Sequence, residues 1–422
     1  MILIVLKDKK DYDRLEPEFR DKVNSYICFA RWYVPYYRRS LQDFCADFSR
    51  YYEMPLTKDD SLSSDPLSFV AFQDRVVRAT TSGGTSGKRK MIFRTEEDLD
   101  RSVDTVAKVF RGAGVKRGDR IAILQPFDMW NTGHHAMAAF QRIGALSFPL
   151  GLSGTDEYVL WILEKLCCNV IFATPSRASF LASLHKGGLC LERVLCTGEP
   201  ILEAHRESVR KAWGAEIFGT YGTEEVDGIA YECAAHDGYH LVDEDLIVEI
   251  LDPETLMPAG GRTGLLVLSK INRTGTVLLR YSVGDIVEVD EKPCRCGSSM
   301  PRIKFIRRAS EIIYLYNGLK ISLQPIEGAI RSVLGYVPLY QIILEGSGGK
   351  EVMTLVIQKG GSDEVRDRVL RSFLSSIPDL EEAYALDKTI EIKVVLDASF
   401  SSFSMTGRGK LPRVVDRRKP QP

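Results

Sequence analysis

Strand-like and helix-like segments alternate through the middle of the chain, and this alternation constrains the fold more than any other feature. Parallel strands need a long crossover connection, which is usually a helix. The order therefore predicts an α/β fold with mostly parallel sheets. The predicted elements are a strand at 118–124, a helix at 133–142, a strand at 145–149, a helix at 155–166, strands at 169–173 and 193–196, a helix at 202–213 and a strand at 216–218.

Three further regions flank this alternating part. Aromatic residues at mixed helical spacing in 11–52 predict one or two amphipathic helices packed on the main body. Short strands separated by turns at 241–289 predict an antiparallel, β-rich subdomain at about 233–300. Strand and helix patterns alternate again after Arg308, which is typical of a small α+β domain. We therefore predict a large N-terminal domain at 1–307 and a small C-terminal domain at 308–422.

A run of glycine, serine and threonine, Thr80-Thr-Ser-Gly-Gly-Thr-Ser-Gly-Lys-Arg-Lys90, ends in three cations. Glycine lets backbone N–H groups approach a ligand, hydroxyls add donors and lysine adds charge, so the run suits a polyphosphate. It is not the P-loop pattern, because the spacing from Gly84 to Gly87 is too short. Taken alone, a run of this kind is more often a solvated linker than a phosphate site.

Composition narrows the class of protein. Lysine and arginine number 56 against 57 aspartates and glutamates, so the overall charge favours neither nucleic acid nor a membrane surface as a partner. No apolar run approaches the roughly 20 residues that cross a bilayer, and we expect a cytoplasmic protein. Nine cysteines in such a chain predict metal ligands or core residues rather than disulfides.

Four separated motifs follow one another in a definite order: the Ser/Gly/Thr run, Tyr221-Gly-Thr-Glu224, Tyr281-Ser-Val-Gly-Asp285 and Gly407-Arg-Gly-Lys410. This order resembles the acyl-adenylating superfamily of acyl-CoA ligases and peptide-synthetase adenylation domains. Gly198-Glu-Pro200 and Glu232-Cys233 make the chain more similar to the phenylacetate-CoA ligase branch. The resemblance spans roughly residue 54 to the C terminus and implies that the C-terminal domain is a mobile lid.

The resemblance also implies ATP and Mg²⁺ as cofactors, CoA as acceptor and a set of site residues. These are Ser82, Gly83, Gly84, Thr85, Ser86, Gly87 and Lys88 around the β- and γ-phosphates, Gly198, Glu199, Pro200, Tyr221 and Gly222 around adenine, Asp285 and Arg308 for ribose or phosphate, and Thr223, Glu224 and Lys410 for catalysis.

These residue types suit the implied chemistry. A carboxylate must attack the α-phosphorus of ATP while pyrophosphate leaves, so the protein has to align the reactants and neutralise phosphate charge. Glu224 offers oxygen to Mg²⁺, Asp285 has two acceptors for the ribose hydroxyls, and Lys410 is a mobile cation. Each residue taken alone has a simpler explanation, such as a turn cap for Asp285 or a flexible tail for Lys410.

Two places depart from the family pattern. Arg307-Arg-Ala-Ser-Glu311 stands where the superfamily has Gly-Arg-x-Asp-Asp and its interdomain hinge, and Arg408-Gly-Lys410 replaces Ser-Gly-Lys. The lysine is kept. The family implies a rotation about this hinge that removes Lys410 and admits the thiol.

A second site is predicted for zinc. Cys233 and His240 form one pair of ligands, and Cys294 and Cys296 form another. Two such pairs separated by a long insertion can make a closed tetrahedral site that clips the β-rich region together. His236 competes with His240 as fourth ligand, and the alternative is a set of buried free thiols.

The acid is expected to bind between Phe127, Trp130, His134 and Gly219, which would bound a partly aromatic pocket for an aryl or short acyl carboxylate. The same aromatic residues are equally typical of a core.

The predicted function is adenylation of a carboxylic acid followed by thioester formation with CoA. The alternatives are transfer to a carrier-protein thiol or to an amine, and a non-catalytic nucleotide-binding relative. We expect no nucleic-acid or membrane partner, and a homodimer is left open.

Overall fold

The structure is a computed structural model that describes residues 4–42, 44, 48–82, 90–185, 187–309, 312–315, 319–347, 350–386, 390–406 and 410–418. The chain forms two compact units. Unit 1 comprises Met1–Ala173, Leu189–Gly198 and Phe218–Ala309, and unit 2 comprises Thr174–Gly188, Glu199–Ile217 and Ser310–Pro422. The predicted boundary between residues 307 and 308 stays a prediction.

Unit 1 carries one large sheet, a hairpin and most of the N-terminal helices. Its strands are β1 (Ile4–Leu6), β2 (Val76–Ser82), β3 (Lys90–Thr95), β4 (Arg120–Ile123), β5 (Leu146–Pro149), β6 (Val170–Ala173), β7 (Arg193–Cys196), β8 (Glu216–Thr223, which begins in unit 2), β9 (Asp227–Glu232), β10 (Tyr239–Leu241), β11 (Leu246–Leu251), β12 (Thr263–Lys270), β13 (Tyr281–Asp290) and β14 (Arg302–Arg308). Its helices are α1 (Lys9–Asp13), α2 (Pro17–Tyr33), α3 (Pro35–Ser40), α4 (Asp59–Ser64), α5 (Glu96–Gly112), α6 (Asn131–Ile143) and α7 (Asp156–Lys165).

Among the described strands, twelve join in the order β1-β11-β12-β13-β14-β10-β9-β8-β7-β6-β4-β5. The pairs β7-β6, β6-β4 and β4-β5 are parallel, whereas the pairs from β8 to β11 are antiparallel. β2 and β3 form a separate antiparallel hairpin. The antiparallel strands predicted at 241–289 thus belong to the same sheet as the parallel strands.

Local sequence explains several helix ends in unit 1. α5 begins with a capping box, in which Thr95 accepts from the N–H of Asp98 and Asp98 accepts from the N–H of Thr95. α6 ends at Gly144, whose φ of 87° is easy only for glycine. Pro35 begins α3 after α2 ends, as the proline predicts. Two apolar cores pack against opposite parts of the sheet, one beneath α2 and the other around α5 and α6.

Unit 2 contains a four-stranded sheet in the order β19-β18-β17-β20 and a two-stranded β15-β16 hairpin. Its elements are α8 (Pro175–Leu184), α9 (Glu203–Trp213), β15 (Ile312–Tyr314), β16 (Lys320–Ser322), α10 (Leu323–Leu334), β17 (Tyr340–Ser347), β18 (Lys350–Ile357), α11 (Asp363–Ser375), α12 (Pro378–Leu386), β19 (Ile390–Leu396) and β20 (Val414–Asp416). α10 and α11 contribute Ile326, Ile330 and Phe373 to one core with the sheet.

The predicted fold class is confirmed, and most predicted elements lie within two residues of the observed ones. Two local predictions are wrong. The glycine-containing motifs at 221–224 and 281–285 predict turns, but β8 continues to Thr223 and β13 begins at Tyr281. Among the described helices, none combines the length and apolar character needed to cross a bilayer.

Candidate active site

The β8–β9 hairpin of unit 1 presents Thr223, Glu224 and Glu225. The register of the two strands shifts between Tyr221 and Gly222, which is a β-bulge. A Cβ atom at Gly222 would lie 2.3 Å from the carbonyl oxygen of Asp227, so only glycine fits there. The bulge therefore fixes where the strand ends and where Glu224 lies.

The Glu224 carboxylate is nearly buried, with 9% of the side chain exposed. Its Oε1 accepts from the hydroxyl of Thr80 at 2.6 Å and lies 3.6 Å from Nη2 of Arg94. Burial raises the pKa of Glu224 to about 7, although Arg94 and Thr80 oppose the shift. A desolvated carboxylate of this kind is suited to gaining a divalent cation, and so the residues present fit the implied Mg²⁺.

A buried charge network lies beneath Glu224. Arg94 donates to Asp227 Oδ1 at 2.8 Å, to Thr80 Oγ1 at 2.7 Å and to the carbonyl of Glu224 at 2.5 Å, and Arg273 also pairs with Asp227. Burial alone would raise the pKa of Asp227, but the two arginines hold it well below its usual value. His135 lies 3.4 Å from Asp227, and burial lowers its pKa to about 3, so this histidine is neutral.

Asp285 is the second buried carboxylate of unit 1 that the motifs identified. The hydroxyl of Tyr221 donates to its Oδ2 at 2.5 Å, and Arg308 Nε lies 2.9 Å from its Oδ1. The structure thus brings together three residues that lie far apart in the sequence. A carboxylate has two acceptor oxygens, which suits the two hydroxyls of a ribose. Burial, followed by the charge of Asp285, raises the pKa of Tyr221 well above its usual value, so the hydroxyl stays protonated.

The Ser/Gly/Thr run connects β2 to β3. Ser82 and Lys90 pair at the base of this hairpin, and the predicted phosphate ligands Gly83, Gly84, Thr85, Ser86, Gly87 and Lys88 lie outside the described residues. Lys90 is buried and lies 2.8 Å from both Glu225 Oε1 and Asp59 Oδ1. The charge of Lys90 is therefore paired with these two carboxylates inside the protein.

The predicted acid pocket is brought together in part. Phe127 and His134 contact each other edge to face, with ring centroids 5.4 Å apart, and His134 Nε2 donates to the Phe127 carbonyl at 2.6 Å. Trp130 is the N-cap of α6. Gly219 lies on β8 and donates its N–H to Glu232 at 2.8 Å. These residues all belong to unit 1.

The four predicted zinc ligands cluster in unit 1. The donor atoms of Cys233, His240, Cys294 and Cys296 all lie within 4.8 Å of one another. Cys233 Sγ is 3.7 Å from Cys294 Sγ, and Cys296 Sγ is 3.5 Å from His240 Nε2. A tetrahedral zinc ion would separate two thiolates by about 3.8 Å and a thiolate from an imidazole nitrogen by about 3.6 Å. His236 lies instead against Glu232, at 3.2 Å, so His240 is the ligand of the two that fits.

Unit 2 holds Glu199, Pro200 and Lys410, whereas the neighbouring Gly198 is the last residue of a segment of unit 1. Glu199 is buried beside α8, where its Oε2 accepts from the hydroxyl of Ser176 at 2.6 Å. Its Oε1 accepts from the N–H of Leu411, next to Lys410. Gly198, at the end of β7, has a φ of 84° and precedes the turn into Pro200. Burial raises the pKa of Glu199, whereas these donors and the charge of Lys410 lower it.

Sequence reasoning missed Arg94, Asp227, His135 and Ser176. A signal was present for Arg94, because it interrupts the apolar pattern of β3 and a charge on a buried strand needs partners.

The known proteins similar in sequence to this chain include a ligase and a synthetase. No family model matches the chain. A phenylacetate-coenzyme A ligase of Thermus thermophilus is 25% identical over 96% of this chain and 97% of its own length. An indoleacetate–lysine synthetase of Pseudomonas savastanoi is 24% identical over 86% of this chain and 90% of its own.

The fold also has a solved counterpart. A crystal structure of 2-hydroxyisobutyryl-CoA ligase in the postadenylation state, in complex with 2-HIB-AMP, superposes with a TM-score of 0.76 at 18% identity, covering 97% of this chain and 90% of the other. Over nearly its whole length the chain is thus similar in sequence to phenylacetate-CoA ligases, and its fold is that of the acyl-CoA ligase structure.

Proposed function

We propose that the chain is an AMP-forming acid–CoA ligase. A carboxylate oxygen attacks the α-phosphorus of ATP, the bond from that phosphorus to the bridging oxygen breaks, and pyrophosphate leaves. The CoA thiol then attacks the acyl carbon of the adenylate and releases AMP. The similarity to phenylacetate-CoA ligases over nearly the whole chain supports this function, and the convergence of Tyr221, Asp285 and Arg308 in unit 1 is the structural observation that carries it.

The described site residues have separable roles in this proposal. Asp285 accepts from the ribose hydroxyls while its contacts with Tyr221 and Arg308 hold the carboxylate in place. Gly198, Glu199 and Pro200 flank the adenine on the side opposite Tyr221 and Gly222. Thr223 donates to the α-phosphate. Glu224, held by Thr80, would hold Mg²⁺, which supplies positive charge to the phosphate oxygens when bound.

Cations from other parts of the chain complete the proposed reaction. Lys410 neutralises charge on the α-phosphate and the bridging oxygen, and the run from Ser82 to Lys88 receives the β- and γ-phosphates. Rotation of the C-terminal domain about Arg307–Glu311 then exchanges Lys410 for the thiol acceptor.

The acid is proposed to be an aryl or short acyl carboxylate. The edge-to-face pair of Phe127 and His134 supports this, because it presents flat apolar surface with few polar groups. Zinc is proposed as a structural ion held by Cys233, His240, Cys294 and Cys296, whose spacing matches a tetrahedral site. We also propose that the protein works in the cytoplasm.

Transfer to an amine is a second candidate for the last step. The similarity to an indoleacetate–lysine synthetase over 86% of the chain favours it, and a carrier-protein thiol is the third acceptor.

One experiment tests these proposals in sequence. Acid-dependent exchange of labelled pyrophosphate into ATP is measured against a panel of aryl, short acyl and amino acids. The proposal expects exchange with an aryl or short acyl acid. CoA, a panel of amines or a carrier protein is then added, and mass spectrometry identifies the conjugate. ATP binding without exchange for any acid would instead indicate a non-catalytic relative.

A further inference from the structure

In unit 2, the buried side-chain amide of Gln341 forms hydrogen bonds with the backbone on both sides of Lys410. Gln341 lies on β17 and is fully buried. Its Nε2 donates to the carbonyls of Ser404 and Pro412, both at 2.8 Å, and its Oε1 accepts from the N–H of Ser404 at 2.7 Å. Ser404 and Pro412 are therefore fixed to the sheet, and residues 404–406 and 410–412 are hereafter called the lysine loop.

The lysine loop is also closed on itself. Thr406 donates its N–H to the carbonyl of Lys410 at 2.9 Å, and Lys410 donates its N–H to the hydroxyl of Thr406 at 3.2 Å. These two bonds use the backbone polar groups of Lys410. The next N–H along the chain, that of Leu411, is directed elsewhere.

Leu411 donates this N–H to Glu199, which is distant in sequence but belongs to the same compact unit. The other oxygen of Glu199 accepts from the N–H and the hydroxyl of Ser176, at 3.2 and 2.6 Å, in the first turn of α8. One buried carboxylate thus joins the lysine loop to a helix N-terminus, where negative charge is favoured. Bonds from N–H donors to an ionised carboxylate are about twice as strong as neutral ones.

We propose that Glu199 is a positioning residue that latches the lysine loop during acid activation. The latch rests on the proposed function and goes beyond it, because the family resemblance gives Glu199 only a place beside adenine. A lysine side chain is long and loses much rotamer freedom when it is placed. Anchoring the neighbouring backbone N–H removes part of that cost before the reaction, so Glu199 acts through Lys410 and takes no part in bond making.

Three variants separate the latch from other roles. Glu199→Ala removes the acceptor, and Glu199→Gln keeps an acceptor oxygen without the charge. Ser176→Ala removes the hydroxyl donor but keeps the backbone N–H of residue 176 and the bond to Leu411. We expect Glu199→Ala to lower kcat of pyrophosphate exchange about tenfold or more, with a smaller change in KM for ATP. Ser176→Ala should stay within about threefold of the wild type, and Glu199→Gln should fall between the two.

Two further readouts complete the test. Thioester formation from a synthetic acyl adenylate and CoA should fall much less in Glu199→Ala than exchange does. Trypsin should also cut after Lys410 about tenfold faster in Glu199→Ala, because the loop opens more often, and at the wild-type rate in Ser176→Ala. The proteolysis needs no substrate, so it tests the latch even if the wild type exchanges with no acid.

Several results would overturn the latch. One is cleavage of wild type and Glu199→Ala by trypsin at the same rate. Others are equal rate losses in pyrophosphate exchange and thioester formation, or equal effects of Glu199→Ala and Ser176→Ala on exchange. A change in KM for ATP alone would mean that Glu199 only lines the adenine site. Normal latch behaviour in proteolysis with no exchange for any acid would overturn the proposed function instead.

Discussion

At the scale of single residues, Glu224 and Asp227 show how two carboxylates three positions apart acquire opposite chemistry. Asp227 faces two arginines, and its pKa is held well below the usual value. Glu224 is also desolvated, and Arg94 lies farther from it, so burial raises its pKa despite Arg94 and the hydroxyl of Thr80. Asp227 is therefore ionised at neutral pH and pairs with Arg94. Glu224 is the carboxylate that would gain more from binding an additional cation.

The raised pKa of Glu224 predicts a pH-dependent cost to stability. The folded group has a pKa of about 7 against 4.5 in an unfolded chain, so the folded state binds more protons between these values. Stability from this group is therefore fully present below pH 4.5 and is lost as pH rises to 7. Between pH 5 and pH 8, Glu224→Gln should gain about 2–3 kcal/mol in unfolding free energy relative to wild type.

Urea denaturation at the two pH values measures this difference. Glu157→Gln, which changes an exposed glutamate on α7, is the matched control and should follow the wild type. A constant gap between Glu224→Gln and wild type at both pH values would contradict the assignment. The same variant should lose Mg²⁺-dependent pyrophosphate exchange.

At the scale of elements, the bulge in the β8–β9 hairpin sets the geometry of the site. Gly222→Ala would place a Cβ 2.3 Å from the carbonyl of Asp227, whereas Gly228→Ala would meet Val106 at an ordinary 3.4 Å. We expect Gly222→Ala to cost about 1–3 kcal/mol of unfolding free energy, as overpacking does, and to displace Glu224 enough to lower exchange strongly. Gly228→Ala on the partner strand should have little effect on either quantity. Similar losses in both variants would show that the bulge has no special role.

The cysteine cluster joins β9, β10 and the turn at 294–298, so a zinc ion there would clip three elements together. The turn itself is closed by bonds of 2.8 Å from Cys294 N–H to Ser298 and 2.9 Å from Gly297 N–H to Cys294. Cys296→Ser should lower bound zinc below one equivalent and reduce the melting temperature. Cys28→Ser, at an exposed cysteine far away in the sequence, should change neither. Metal analysis of undialysed wild-type protein that finds only traces of zinc would refute the site.

The elements themselves were largely predictable from sequence, and the exceptions have physical causes. The pattern at 363–375 predicts a helix, and α11 spans those residues because its apolar residues follow a helical period. α8 was missed because small residues such as Ser176, Ala178 and Ser179 are buried on several faces, which leaves no apolar stripe to detect. β8 was predicted too short, because Gly222 suggested a turn where the structure has a bulge.

At the scale of the whole molecule, motif order predicted more of the site than any residue did. Tyr221, Asp285 and Arg308 could be joined because the family pattern names them in order, and the structure places them in contact. The Arg94–Asp227 network could not be predicted, since nothing in the sequence relates a charge on β3 to one on β9. Glu199 was predicted to lie at the site, but its bond to Leu411 depends on the tertiary fold.

Lys410 is the cation whose loss should affect activity most. Lys410→Ala should lower acid-dependent pyrophosphate release about 100-fold or more and leave ATP binding nearly intact, because the charge is needed where phosphate charge develops. Lys393→Ala, at an exposed lysine of the same unit, is the control and should behave as wild type. Stopped-flow pyrophosphate release and calorimetric ATP binding make the comparison. Release at the wild-type rate from Lys410→Ala would exclude the proposed role.

The most direct test of acid activation follows an oxygen atom. Acid labelled with ¹⁸O in its carboxylate is incubated with the protein, ATP, Mg²⁺ and CoA, and the nucleotide product is examined by mass spectrometry. In the proposed reaction a carboxylate oxygen becomes the bridge of the adenylate and leaves with the phosphoryl group, so AMP should carry one ¹⁸O atom. Unlabelled AMP, or ADP with the label in inorganic phosphate, would contradict the account.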